Sequence, residues 1–99
     1  MKLSQIIEKV VSIRNFFNDN GKGWQEECIV SELDGSIRNL SAPSESYTRE
    51  YLLIRGLQMQ LLDDMNVIEN TRYLKEKEDS LSIWTRCGLV INQLGDYLD

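Results

Sequence analysis

The segment ECIVSELDGSIRNL, Glu27–Leu40, decides the fold class of this sequence because it fits two different structures. The pair Asp34–Gly35 between two apolar runs is a strong signal for a two-residue β-hairpin turn. Spacings of three and four between apolar residues are instead typical of one helical face. The segment has this spacing at Val30, Leu33, Ile37 and Leu40.

The distribution of side chains between faces favours the helix. A two-residue hairpin would mix apolar and polar residues on both of its faces, whereas a helix collects the apolar residues into one stripe. An interior glycine costs a helix about 1 kcal/mol, which one clean stripe can offset. We therefore predict a helix from about Trp24 to Leu40, with a kink or break near Gly35. The alternative is a hairpin at residues 28–40 in an α+β fold.

Three further segments show helical periodicity. The first runs from Leu3 to Phe17 and ends at Asn20–Gly21, a pair suited to the turn after a helix. The other two have apolar stripes at Tyr47, Tyr51, Ile54, Leu57, Leu61 and Met65, and at Leu81, Trp84, Cys87, Ile91, Leu94 and Leu98. Four amphipathic segments with short connections predict an all-α fold, a small antiparallel bundle of about four helices, in one domain spanning residues 1–99.

The groups most used in catalysis are few. The sequence contains no histidine, which excludes Ser-His and Cys-His nucleophile pairs within one chain. Neighbouring acids such as Glu26–Glu27, Asp63–Asp64 and Glu78–Asp79 point in different directions on a helix and make poor catalytic pairs. We therefore expect a protein that is not an enzyme and that uses no cofactor.

The stretch FFNDNGKGW, Phe16–Trp24, resembles a calcium-binding loop in composition, because it contains several residues with side-chain oxygens and two glycines. A loop of the EF-hand type needs oxygen ligands at its odd positions and a glutamate at its last position. Starting the loop at Asn18 puts Lys22 at a ligand position and Ile29 at the last one. We expect no metal site there, and we interpret the stretch as the end of a helix.

The net charge of −5 argues against broad binding to nucleic acids, which depends on clustered Lys and Arg. Glu8, Lys9 and Arg14 interrupt any apolar core of an N-terminal signal, and no apolar run is long enough for a membrane span. We expect a cytoplasmic protein in which Cys28 and Cys87 are free and packed.

Apolar residues are spread too widely around the third and fourth predicted helices for all of them to face one core. This spread predicts a second buried surface, formed with another chain in a homodimer or with a different protein, of which a basic protein is one candidate. The residues expected at that interface are Trp24, Leu52, Met59, Leu89 and Val90.

The function that these observations favour is a small protein-protein interaction module, acting as an accessory factor or inhibitor through an apolar helical face with acidic surroundings. The alternative is a DNA-binding regulator with a helix-turn-helix formed by the second and third helices. Arg38, Arg49 and Arg55 would then supply the DNA contacts, although acidic residues accompany them in the same region.

Overall fold

The structure, a computed structural model, describes residues 2–20, 23–42, 46–70 and 77–99, with the side chains of 70 and 77–81 left aside. It contains four helices and, in these ranges, no strand. The helices are α1 (Leu3–Asn20), α2 (Trp24–Ser41), α3 (Tyr47–Asn70) and α4 (Lys77–Leu98). The predicted all-α bundle is confirmed.

The segment that decides the fold is a continuous helix. α2 runs through Asp34–Gly35 without interruption, so the alternative of a hairpin at residues 28–40 is wrong. Gly35 keeps a negative φ, as expected inside a right-handed helix. At the start of α2, the Glu26 carboxylate accepts a hydrogen bond from the Gly23 backbone N–H at 3.0 Å, which satisfies a donor that precedes the helix.

Consecutive helices run antiparallel: in α3 and α4, Tyr97 donates a hydrogen bond to Glu50 at one end, and Trp84 donates one to Glu69 at the other. Four further contacts join neighbouring helices. Arg14 of α1 reaches Asp34 of α2, Ser36 of α2 reaches Gln60 of α3, Gln58 of α3 reaches Ile91 of α4, and Lys9 of α1 reaches Gln93 of α4. Each helix packs against two neighbours, and α1 and α3 lie diagonally opposite each other. The contact between α2 and α3 is the least extensive of the four among the described residues.

The core lies on the inner faces of the four helices. The predicted stripe of α1 is confirmed, since Ile6, Val10, Ile13 and Phe17 are all buried. The stripe predicted for α4 is displaced around the helix, because Ile83, Cys87, Val90 and Leu94 face inward while Trp84 is exposed. In α3 the core begins at Ile54, and Tyr47 and Tyr51 stay exposed near the end of the bundle.

One polar side chain crosses from α3 to α4 inside this core. Gln58 is buried, and its Nε2 donates a hydrogen bond of 2.8 Å to the backbone carbonyl of Ile91. A buried amide of this kind is costly when it is unpaired, so the bond favours one axial position of α3 along α4.

α3 continues to Asn70 and α4 begins at Lys77, and the residues between them lie outside the described part of the chain. Ser46 caps the start of α3, since its Oγ accepts a hydrogen bond from the Arg49 backbone N–H at 3.3 Å. None of the described helices combines the length and apolarity needed to cross a bilayer.

Candidate protein-interaction surface

The structure distributes the five predicted interface residues over different parts of the bundle. Trp24 is 77% exposed at the first position of α2, while Leu52 and Met59 are each 63% exposed on α3. Leu89 is exposed on α4. Val90 is only 1% exposed and belongs to the core, because α4 is rotated so that residues 83, 87, 90 and 94 point inward. We therefore remove Val90 from the candidate surface.

Only Leu52 and Met59 share one surface. Leu89 lies beside a shallow groove between α1 and α4, lined also by Lys9 and Ser12, on the opposite side of the bundle from α3. Trp24 lies at the end of the bundle where α2 begins. Leu52 and Met59 are seven residues apart, which places them two turns apart on the same face of α3.

We use the name α3 face for the outward surface of this helix formed by Tyr51, Leu52, Arg55, Met59 and Leu62. All five are exposed, and their spacings of three, four and seven place them on the side of α3 turned away from α2 and α4. The inward residues of the same helix fill the core. A helix with apolar residues on both its inner and outer faces leaves part of them without a partner in the same chain.

Arg55 is held in place within the α3 face. Its guanidinium lies 5.1 Å from the centre of the Tyr51 ring, and its Nη1 donates a hydrogen bond of 2.8 Å to Gln58 Oε1. The Tyr51 ring is itself packed against Tyr47, with 6.3 Å between ring centres. These contacts reduce the freedom that a long side chain would otherwise lose on binding.

Acidic side chains also line a groove away from the α3 face. A groove of about 670 Å³ between α1 and α2 is lined by Glu26, Glu27 and Asp34, together with apolar side chains and Arg38. Two of these acids already have partners in the chain. Asp34 forms a two-pronged ion pair with Arg14, at 2.8 and 3.3 Å, and Glu26 accepts the Gly23 N–H. On α3, by contrast, the exposed Arg55 of the α3 face and the exposed Asp63 next to it on the helix surface give both signs of charge.

The three arginines proposed for a DNA contact are not brought onto one surface. Arg38 lies in the acidic groove between α1 and α2, whereas Arg55 lies on the α3 face, where it stacks on Tyr51. DNA-binding surfaces gather their cations into one patch or along one helix. The arrangement of the described residues therefore offers the helix-turn-helix alternative no observation in its favour.

A buried carboxyl group that the sequence analysis did not single out is the main electrostatic anomaly. Asp64 of α3 is 2% exposed, and its Oδ2 has no hydrogen-bond partner among the described residues. Burial above all, together with the nearby charges of Glu32 of α2 and Asp63, raises the pKa of Asp64 to about 7 from an ordinary value of 3.8. A carboxyl group in this position destabilises the bundle when it is ionised.

Asp64 also raises the pKa of Cys87, a buried residue of α4. Burial first, and the Asp64 carboxyl second, raise the pKa of the Cys87 thiol to about 12. Because the thiolate is the reactive form, Cys87 is chemically inert in the folded protein. Neither Asp64 nor Cys87 lines the groove between α1 and α2 or the groove between α1 and α4.

The two cysteines differ in their surroundings. Both are free thiols; Cys87 is buried, as predicted, but Cys28 is exposed on α2, so the expectation that both are packed is wrong for Cys28. Cys28 falls outside the stripe of α2 that faces the core, which contains Ile29, Leu33 and Leu40. No group of three or more acidic or cysteine side chains with metal-binding geometry occurs among the described residues.

Three members of the α3 face, Tyr51, Arg55 and Leu62, are absent from the expected interface. The sequence pattern puts Tyr51 in the core stripe, whereas its side chain is exposed, as are those of Arg55 and Leu62. The signal that could have identified them is the spacing of Leu52, Met59 and Leu62, which defines a second stripe offset from the core stripe of Ile54, Leu57 and Leu61.

Comparison with known protein families, with curated proteins and with solved structures finds no match for this chain.

Proposed function

We propose that this protein is a non-enzymatic protein-interaction module, an accessory factor or inhibitor, that binds another protein through the α3 face. The observation that carries the proposal is the presence of Leu52, Met59 and Leu62 on the outer side of a helix whose inner side already fills the core. Large apolar side chains grouped on one surface favour association, because water is released when a partner covers them.

The shape of the α3 face supports a protein partner over a small ligand. Small molecules bind in concave sites that enclose most of their surface. The α3 face is the convex side of a helix, and its five residues line none of the cavities described above. A convex apolar strip suits a helix or a flat surface of another protein, which can pack alongside it over several turns.

The composition of the α3 face also fits a binding surface. Tyr and Arg are enriched among residues that contribute most to protein interfaces, and here Tyr51 and Arg55 flank the exposed leucines. The net charge of −5 would speed the encounter with a basic partner.

The test compares two pairs of substitutions that remove similar amounts of exposed apolar surface. In the first variant Leu52 and Met59 are changed to Ser, and in the second Trp24 and Leu89 are changed to Ser. Binding partners are isolated from the native host with the wild-type chain, and the affinity of each for the purified variants is then measured by calorimetry. We expect Leu52→Ser with Met59→Ser to weaken binding at least tenfold, and Trp24→Ser with Leu89→Ser to leave it within about twofold.

Partners that bind both variants equally well would overturn the assignment of the α3 face. Circular dichroism and thermal unfolding serve as controls, since all four substituted side chains are exposed and their loss leaves the fold intact.

We place the protein in the reducing environment of the cytoplasm. Supporting this, Cys28 and Cys87 are both free, and Cys28 is exposed, an arrangement that oxidising compartments disfavour. Titration of thiols in the unfolded protein, taken directly from its host, should detect both of them; a lower value would contradict this placement.

A further inference from the structure

The α3 face carries an ordered row of side chains. Arg55, Met59 and Asp63 follow each other at intervals of four residues, so they form one row along the surface of α3, and all three are exposed. With a rise of 1.5 Å per residue, Arg55 and Asp63 lie about 12 Å apart along the axis, and Met59 lies halfway between them. The row is thus positive at one end, apolar in its centre and negative at the other end.

Such a row is complementary to itself when it is reversed. A twofold axis beside Met59 places a second α3 in the antiparallel direction, so that Arg55 of one chain meets Asp63 of the second copy and the reverse contact forms as well. The two Met59 side chains then meet at the axis. A symmetric dimer requires this property, because the same surface must supply both halves of the contact.

The apolar residues of the α3 face flank this row. Leu52 belongs to the row on one side of it and Leu62 to the row on the other side. Rows of this kind are inclined to the helix axis, and two of them run alongside each other when the helices cross at about 50°. At that angle one of these two leucines in each chain falls next to the row of the other chain, where it is shielded from water.

We propose that the α3 face binds a second copy of this chain, in a symmetric dimer in which Arg55 of each chain pairs with Asp63 of the other across the two Met59 side chains. This inference rests on the proposed function and specifies its partner. The Tyr51 and Gln58 contacts keep the Arg55 guanidinium on the surface in a form ready for this pairing, while its remaining N–H groups stay available for a carboxylate.

A face of about three helical turns is at the small end of specific interfaces, so the dimer is expected to be weak. Its dissociation constant is to be measured by sedimentation equilibrium on the full chain, from about 1 µM to about 1 mM. The substitutions are Arg55→Glu, Asp63→Lys, both together, and Arg38→Glu. The last one lies on α2 in the groove facing α1, and it changes the net charge by the same amount as Arg55→Glu.

Each single reversal creates two like-charge contacts and should raise the dissociation constant about tenfold. The double variant restores opposite charges and should return to within about threefold of the wild type. An equimolar mixture of the two single variants should form a mixed dimer as tight as the wild type, because one contact then joins the two introduced residues and the other joins native Arg55 to native Asp63. Arg38→Glu should have little effect.

The other outcomes separate the two proposals. A wild-type chain that stays monomeric up to 1 mM overturns the dimer, while the binding of a different protein by the α3 face is judged by the serine variants described above. If neither charge reversal changes the dissociation constant but Leu52→Ser with Met59→Ser abolishes the dimer, the Arg55–Asp63 pairing is wrong, and the α3 face remains the dimer interface. A dimer that resists all of these substitutions overturns both the pairing and the use of this face for self-association.

Discussion

Leu61 and Leu62 are identical side chains at consecutive positions of α3, and they have opposite surroundings. Leu61 is 0% exposed in the core between the helices, whereas Leu62 is 45% exposed on the α3 face. Consecutive residues of a helix point about 100° apart, which is enough to move a side chain from one side of the helix to the other. The comparison teaches that residue type alone does not set the role of a leucine here; the positions of α2 and α4 around α3 do.

The largest expected effect comes from exchanging these two leucines for alanine one at a time. Leu61→Ala leaves a cavity in the core and should lower the free energy of unfolding by about 2–5 kcal/mol. Leu62→Ala should change it by no more than about 0.5–1 kcal/mol, because its side chain is already half in water. Denaturant unfolding at a low protein concentration, where self-association does not contribute, measures both values.

Self-association is expected to respond in the opposite order. Leu62→Ala should weaken it, and Leu61→Ala, wherever the variant remains folded, should not. Equal effects of the two substitutions on stability would show that the division of α3 into an inner and an outer face is wrong.

The second prediction concerns Asp64, the buried acid among the apolar residues of the inner face. The pKa of this carboxyl is about 7 in the folded chain and near its ordinary value of 3.8 when unfolded, so the folded state binds the proton more tightly. Its contribution to stability is therefore fully present below about pH 4 and is lost as the pH rises through 7. Across this interval the loss is on the order of 2–4 kcal/mol.

Asp64→Asn, which imitates the protonated acid, should make the protein more stable at pH 8 by about 1–3 kcal/mol and change little at pH 4. Chemical unfolding of both proteins at several pH values between 4 and 8 provides the measurement. Asp96→Asn serves as the control, because that carboxyl is exposed on α4 and is not among the charges that raise the pKa of Asp64. If Asp64→Asn has the same dependence of unfolding free energy on pH as the wild type, a group other than Asp64 causes that dependence.

The smallest effect is expected at two helical glycines, one of them on the outer side of α3. A Cβ atom added at Gly35 or Gly56 would meet no other atom within 4 Å, and neither residue has a positive φ. Gly35→Ala and Gly56→Ala should therefore each raise the stability of the monomer by about 0.5–1 kcal/mol, since alanine restricts the unfolded chain. Thermal unfolding of dilute protein tests this, and a loss of stability at either position would mean that its surroundings are tighter than described.

The four helices were predictable from the sequence because their apolar residues recur at helical spacing over many turns. In α2 the stripe of Ile29, Leu33 and Leu40 outweighs the local hairpin signal of Asp34–Gly35, since the apolar face of a whole helix contributes more than one turn. The start of α3 was also predictable, because Ser46 is a residue type that caps helices.

The rotation of α4 was harder to predict. This helix has apolar residues on more than half of its circumference, so both the predicted stripe through Trp84 and Ile91 and the observed one through Ile83 and Val90 fit its sequence. Packing against α1 and α3 selects one of them, and that selection depends on contacts between distant segments. The burial of Asp64 could not be predicted for the same reason, as an acid beside Asp63 is typical of a solvated surface.

The difference in exposure between the two cysteines provides a way to measure local opening of the bundle. Alkylating reagents should modify Cys28 at once, because its thiol is exposed, whereas Cys87 can react only when the bundle opens and its thiol meets water. In a Cys28→Ser variant, the rate of alkylation of Cys87 relative to an unfolded chain then gives the free energy of that opening. The native Cys87 thiol thereby allows local opening of the α3–α4 packing to be measured without introducing a cysteine.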